Sequence, residues 1–141
     1  GSTLSYVVHS AIARYIPGYR RQAWKWFIEA MRSDRYDTQG GTTPEGIHCG
    51  VMAGTVAIIL ENFAGINLFA DHLSLAPELP REWSNLAFKI EQRGRLFDIQ
   101  IGKHEVVIER LEKHDAEAPP LSVVVHGTEH SLDGEKLSVK Y

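Results

Sequence analysis

The sequence predicts a chain of mixed class, a helical first half followed by a small antiparallel β-sandwich. Three observations carry that prediction. Apolar residues recur every three or four positions over roughly the first 65 residues. A segment marked by Pro77 and Pro80 then interrupts the pattern. Beyond it apolar and polar residues alternate, the period of strands with one buried face. A change of period partway along suggests two structural units.

The first helix is expected over Leu4–Ile16, with Leu4, Val7, Val8, Ala11, Ile12 and Tyr15 on one buried face and Pro17-Gly18 ending it. The second is expected over Arg20–Arg32. Ala23, Trp24, Phe27, Ile28 and Met31 repeat the spacing, while Arg21, Lys25, Glu29 and Arg32 face water or a partner. Ser33–Thr43 reads as a polar loop holding Asp34, Asp37, Gly40 and Gly41. The third helix is expected to start at Thr43, a good N-cap, with Pro44 in the first helical position and Glu45 at the positive end, and to run to about Asn62. Gly46, Gly50 and Gly54 recur along it. Each glycine costs a helix interior about 1 kcal/mol against alanine, so the stripe suggests close approach of another backbone. Three helices cannot cover faces this apolar, and the helical half reads as a piece of a larger helical domain.

In the second half, Leu86, Phe88 and Ile90 alternate with Ala87, Lys89 and Glu91, and Phe97, Ile99 and Ile101 alternate with Asp98 and Gln100. Val106 and Ile108 continue the pattern, followed by Leu121, Val123 and Val125, then Leu137, Val139 and Tyr141. Gly94-Arg95 and Gly102-Lys103 are hairpin-turn candidates, and Asp133-Gly134 is a strong one. About six short strands with such turns suggest a sandwich. Glu112–Pro120 is a charged loop.

Composition narrows the function. The 141 residues are 43% apolar, as in an ordinary globular protein. A formal charge of −3 gives no pull toward nucleic acid or an anionic membrane. The longest apolar run, Val56–Leu60, is far shorter than the roughly 20 residues of a membrane span. No signal-peptide pattern is visible. One cysteine excludes an internal disulfide and fits a reducing, cytoplasmic setting. The histidines lack zinc-like spacing, so no metal is assigned. Cys49 reads as a buried small apolar residue, His9 as a satisfied core histidine, and the aromatics of the strand half as core.

Two segments could carry chemistry. Gly40, Gly41, Thr42 and Thr43 stand just before the third helix, whose free N–H groups favour an anion, and His48 would lie about one turn inside. Together they suit a phosphate oxyanion. The competing reading is an ordinary capped helix after a glycine-rich turn. Ser2 and Thr3 precede the first helix. They either cap it or offer hydroxyls to an anion.

Gly1–His9 (GSTLSYVVH), Asp37–Gly54 (DTQGGTTPEGIHCGVMAG) and Phe63–Trp83 (FAGINLFADHLSLAPELPREW) resemble successive blocks of glycoside hydrolase family 65. That family includes maltose, trehalose, kojibiose and nigerose phosphorylases and some trehalases. The resemblance runs in order over residues 1 to about 101 and treats Gly1-Ser2 as native sequence. It implies that residues 1–64 are the last helices of an (α/α)6 catalytic barrel and residues 65–141 a small jelly-roll-like C-terminal β-sandwich.

By motif match the resemblance implies a phosphate subsite made by Ser2, Thr3 and His48, with Gly40, Gly41 and Thr42 nearby. Inorganic phosphate would be the co-substrate, with no cofactor, and an α-linked disaccharide would yield β-glucose 1-phosphate and glucose by inversion. The general acid, a glutamate, belongs to an earlier part of the barrel. None of Glu29, Glu45 or Glu61 matches its motif, so this chain alone is expected to be inactive and to need the N-terminal part of the same enzyme. The family is also compatible with a homodimer. Cys49 stands where an aliphatic residue is expected. A family hydrolase using water, and a non-catalytic carbohydrate-binding or assembly module, remain the alternatives.

Overall fold

The computed structural model describes residues 2–37, 40–41, 44, 46–112 and 120–141. The chain divides into two compact units, Gly1–Asn62 and Phe63–Tyr141.

The first unit opens with α1 (Thr3–Ala13) and α2 (Arg20–Tyr36), joined by a turn through Gly18 at φ 84°. They pack antiparallel. The Ser10 hydroxyl donates to the Ala23 carbonyl at 2.9 Å, and the His9 and Trp26 rings lie 5.1 Å apart. The seam consists mostly of small residues: Thr3, Val7, Ser10 and Ala13 from α1, and Ala23, Phe27, Ala30 and Ser33 from α2. Small side chains let the helices approach closely, and Ser10 and Ser33 satisfy their hydroxyls on backbone carbonyls.

This corrects the expected face of α1. Leu4, Val8, Ile12 and Tyr15 are 48%, 46%, 53% and 76% exposed. The small residues that form the real seam weigh little in an apolar pattern, so the larger residues beside them masked it. His9 is likewise exposed rather than a core histidine.

The third helix, α3, spans Cys49–Ala57 and passes into a π-helical turn, Ile58–Phe63. It starts later than expected. Gly46 sits at φ 98° and His48 at ψ 84°, which no helix running from Pro44 could include. The expected cap at Thr43 and the residue Glu45 lie outside the described residues. The expected glycine stripe dissolves: Gly46 is outside the helix, and a Cβ on Gly50 would meet nothing within 4 Å. Only Gly54 is closely approached, by the Val7 side chain and not by a backbone.

Three contacts fix the direction of α3. Val7 faces Gly54. The Asn62 amide donates to the carbonyls of Ser10 and Ala11. Arg14 donates to the carbonyls of Glu61 and Asn62. The numbers rise together on both sides, so α1 and the α3 segment run parallel.

The second unit holds seven strands among the described residues: β1 (Leu73–Leu75), β2 (Leu86–Gln92), β3 (Arg95–Ile101), β4 (Glu105–Arg110), β5 (Leu121–Val125), β6 (Thr128–Leu132) and β7 (Lys136–Lys140). They form a three-stranded sheet in the order β1-β5-β6 and a four-stranded sheet in the order β2-β3-β4-β7. The core is built from Leu73 and Leu75, from Leu121, Val123, Val125 and Leu132, and from Phe97, Ile99, Ile101, Val106, Ile108 and Val139. Apart from β1 and Leu132 of β6, which the pattern does not mark, these are alternating positions read from the sequence, whereas the expected inward residues Leu86, Phe88, Ile90 and Leu137 are only half-buried and Tyr141 is exposed.

Three details differ from expectation. β1 pairs parallel with β5, because the chain leaves β1 through the proline segment instead of a hairpin. The β2–β3 turn lies one residue earlier than expected: Gln92 pairs with Arg95, and Arg93 and Gly94 take φ 52° and 75°. Asp133-Gly134 links β6 and β7, which belong to different sheets, so it is no hairpin turn.

Candidate functional site

The parallel course of α1 and α3 sets their N-terminal ends at the same end of the first unit. Thr3 lies one helical turn before Val7, and Cys49 somewhat more than one turn before its partner Gly54. Because α2 is antiparallel to α1, its last turn, with Asp34, finishes at this end too.

His48 stands at the N-cap of α3, not one turn inside as expected, and its side chain makes no cap bond to the helix. It is held instead by Asp34. The His48 backbone N–H donates to Asp34 Oδ2 at 2.9 Å, and the ring Nδ1 lies 2.6 Å from Asp34 Oδ1. A carboxylate can only accept, so Nδ1 carries the proton in this bond. The His48 and Asp34 side chains are 30% and 13% exposed. The side-chain bond from His48, together with its N–H bond and its charge, outweighs partial burial and holds the Asp34 carboxyl below the usual carboxylate range.

Ser2 is the N-cap of α1. Its Oγ accepts from the Leu4 N–H at 3.2 Å, and a serine hydroxyl keeps its own hydrogen as a donor when it accepts. Thr3 begins α1 and is buried.

The glycine loop is a different matter. Gly40 and Gly41 take φ 71° and 97°, but their N–H groups do not point to a helix end. Gly40 N–H donates to the Asp37 carbonyl at 3.0 Å, and Gly41 N–H to Asp37 Oδ2 at 2.7 Å. Asp37, in the left-handed conformation after α2, turns the loop onto itself. Gly40 and Gly41, expected beside the phosphate, thus spend their N–H groups on Asp37. Thr42 lies outside the described residues.

What this end offers an anion is the start of α3, with first-turn N–H groups at its positive pole, the His48 ring beside it, and the Ser2 hydroxyl at the start of α1. Cys49, the first residue of α3, is exposed and not buried as the sequence suggested. The sequence pattern ends helix two at Arg32 and so places Asp34 in a loop, whereas α2 runs on to Tyr36. The signal was available: Ser33–Tyr36 contains no glycine or proline that would stop the helix.

Among the described residues no group of three or more His, Cys, Asp or Glu could hold a metal ion, and no helix is long and apolar enough to cross a membrane.

Comparison with known proteins decides the family. Residues 1–57 match the glycosyl hydrolase family 65 central catalytic domain, and residues 66–132 match the family 65 C-terminal domain. The chain belongs to glycosyl hydrolase family 65. It is 34% identical to the alpha,alpha-trehalose phosphorylase of Thermoanaerobacter brockii over 79% of its length, and 38% identical to the trehalose 6-phosphate phosphorylase of Lactococcus lactis over 77%. In each case it spans 14% of the relative. A solved chain assigned as a kojibiose phosphorylase from the human microbiome superposes on 99% of it with a TM-score of 0.81 and 31% identity, the match covering 20% of that chain. Family 65 relatives of this segment are thus enzymes several times longer, and the sandwich is the family's C-terminal domain.

Proposed function

We propose that this family 65 segment supplies half of the phosphate subsite of an inverting disaccharide phosphorylase. The observation that carries the reading is the meeting of helix starts: Ser2 and Thr3 on α1 and His48 on α3 belong to one end of the unit, with helix N-termini that favour an anion. The relatives named as trehalose, kojibiose and maltose phosphorylases support it. The glycine loop has a lesser part. With the N–H groups of Gly40 and Gly41 turned onto Asp37, these two residues do not hold the anion through them.

In this reading phosphate oxygen attacks the anomeric carbon of an α-linked glucoside as the bond to the glycosidic oxygen breaks. A glutamic acid of the upstream barrel protonates the leaving oxygen. The products are β-glucose 1-phosphate and glucose, with the anomeric centre inverted. Phosphate takes the place of the water and base carboxylate of an inverting hydrolase. Such a nucleophile needs donors more than a base, which suits the Ser2 hydroxyl, an imidazole and a helix start, with the buried Thr3 beside them. No cofactor is required. The 141-residue chain alone would not turn over, and the exposed Leu4, Val8, Ile12 and Tyr15 are consistent with a helical surface that the upstream barrel covers.

The test is His48→Ala in the enzyme that carries this segment. Loss of one charged donor costs about 1.5–3 kcal/mol, so the specificity constant for phosphate should fall about ten- to a hundredfold while disaccharide binding holds. Release of free glucose without any requirement for phosphate would overturn the reading in favour of a family hydrolase.

A further inference from the structure

We propose that Asp34 is the positioning residue of this subsite, holding the His48 ring so that Nε2 is presented to the incoming phosphate. The inference rests on the phosphate reading above and extends it to a residue that no motif marks.

The geometry is a two-point clamp. One carboxylate takes the His48 backbone N–H at 2.9 Å through Oδ2 and Nδ1 at 2.6 Å through Oδ1. The first bond fixes where the residue stands at the start of α3. The second fixes the rotation of its ring, because Nδ1 can stay on Oδ1 in one orientation only. An imidazole held through Nδ1 carries Nε2 on its far side, away from Asp34. The pair joins two elements, the last turn of α2 and the N-cap of α3, so the orientation of the ring is tied to the packing of the two helices.

The clamp also acts on charge. The bond and charge of His48 stabilise the Asp34 carboxylate, and Nε2 donates in the form of the ring that carries a proton on both nitrogens. A neutral ring with its proton on Nδ1 would turn a lone pair toward phosphate instead. Asp34 therefore decides where Nε2 points. It does not touch the anion in this account. Partners that orient a metal-bound histidine through its other ring nitrogen matter by about ten- to a hundredfold when removed, and an effect of that order is expected here.

The experiment compares Asp34→Asn with His48→Ala in the enzyme carrying this segment. Asparagine keeps an acceptor for Nδ1 but loses the charge and faces the His48 N–H with an amide. The expected result is a rise of about tenfold or more in KM for inorganic phosphate, with KM for the disaccharide within about twofold of the parent. An equal loss for both substrates would reduce Asp34 to a helix-to-helix tie and overturn the proposal. So would unchanged phosphate kinetics in Asp34→Asn beside a large loss in His48→Ala, which leaves the subsite reading standing. Unchanged phosphate use in His48→Ala would overturn the subsite reading itself. Should Asp34→Asn not fold, nitrogen-15 spectra of the His48 ring in the parent enzyme decide: Nδ1 must be protonated, and the Nε2 resonance must move when phosphate is added. An unprotonated Nδ1, or an Nε2 resonance indifferent to phosphate, would overturn the proposal.

Discussion

Arg14 and Asn62 hold each other's helices. The Arg14 guanidinium donates to the Asn62 carbonyl at 2.6 Å, while the Asn62 amide donates back to the Ala11 and Ser10 carbonyls at 3.2 and 3.4 Å. The exchange joins the last turn of α1 to the π-helical turn that follows α3, where helix-end carbonyls need partners. Asn62 is buried, so its loss leaves carbonyls unsatisfied out of reach of bulk water. Asn62→Ala should destabilise the protein by about 1–3 kcal/mol in urea unfolding. Asn62→Asp should cost more, since a carboxylate would face carbonyl oxygens. Equal stability of Asn62→Asp and the parent would mean that these bonds do not order the helix end.

Gly54 and Val7 set the spacing of α1 against α3. Replacing an interior helix glycine with alanine ordinarily gains about 1 kcal/mol. Here the new Cβ would overlap Val7 Cγ1, and overpacking costs about 1–3 kcal/mol. Gly54→Ala should therefore lower the melting temperature, and Val7→Ala in the same chain should recover much of the loss. A double-mutant cycle reads the coupling directly, and additive single effects would place the helices further apart than described.

The strand half was the more legible of the two. Inward positions such as Phe97, Ile99, Val123 and Val125 alternate in the sequence as they do in the core, because a period of two leaves little ambiguity about which face is buried. β1 escaped notice because three residues are too few for a pattern and its partner β5 lies far away in sequence. The turn at His126-Gly127, with φ 48° and 79°, escaped because histidine is a poor marker of the left-handed conformation. In the helical half the spacing found the helices but chose the wrong face of α1, since a seam of serine and alanine is nearly invisible to hydropathy. At the site, the residue His48 was legible and its surroundings were not. Its position at the helix start depends on the conformation of Gly46, and its partner Asp34 comes from a helix turn whose polar residues resemble a loop.

Gly65 and Gly94 are a matched pair with unequal neighbours. Both take positive φ, at 68° and 75°. A Cβ on Gly94 would enter open space, whereas one on Gly65 would collide with the backbone of Ala76, whose N–H donates to the Gly65 carbonyl at 2.9 Å. Gly94→Ala should cost only the left-handed penalty, about 1–2 kcal/mol. Gly65→Ala should cost about 3 kcal/mol or more, because the β1 segment must shift as well. Thermal unfolding of the two variants side by side checks the order, and similar losses would refute the close approach.

The Asp34–His48 pair predicts the shape of the acid limb of stability. The folded Asp34 carboxyl titrates below the ordinary carboxylate range, chiefly through its bond from the His48 ring. The unfolded chain therefore takes up this proton first as pH falls. Asp34 contributes stability that is fully present above its unfolded pKa and is lost as pH drops through its lower folded pKa, that is, below about pH 4. Asp34→Asn removes a titrating group without removing the side chain's volume. The stability difference between parent and variant should be constant from about pH 6 down to pH 5 as far as Asp34 is concerned, then shrink toward the acid end. Urea unfolding at stepped pH measures it. A difference that stays constant through the acid limb would show that Asp34 has the same proton affinity in both states, and that the bond to His48 adds nothing to folding.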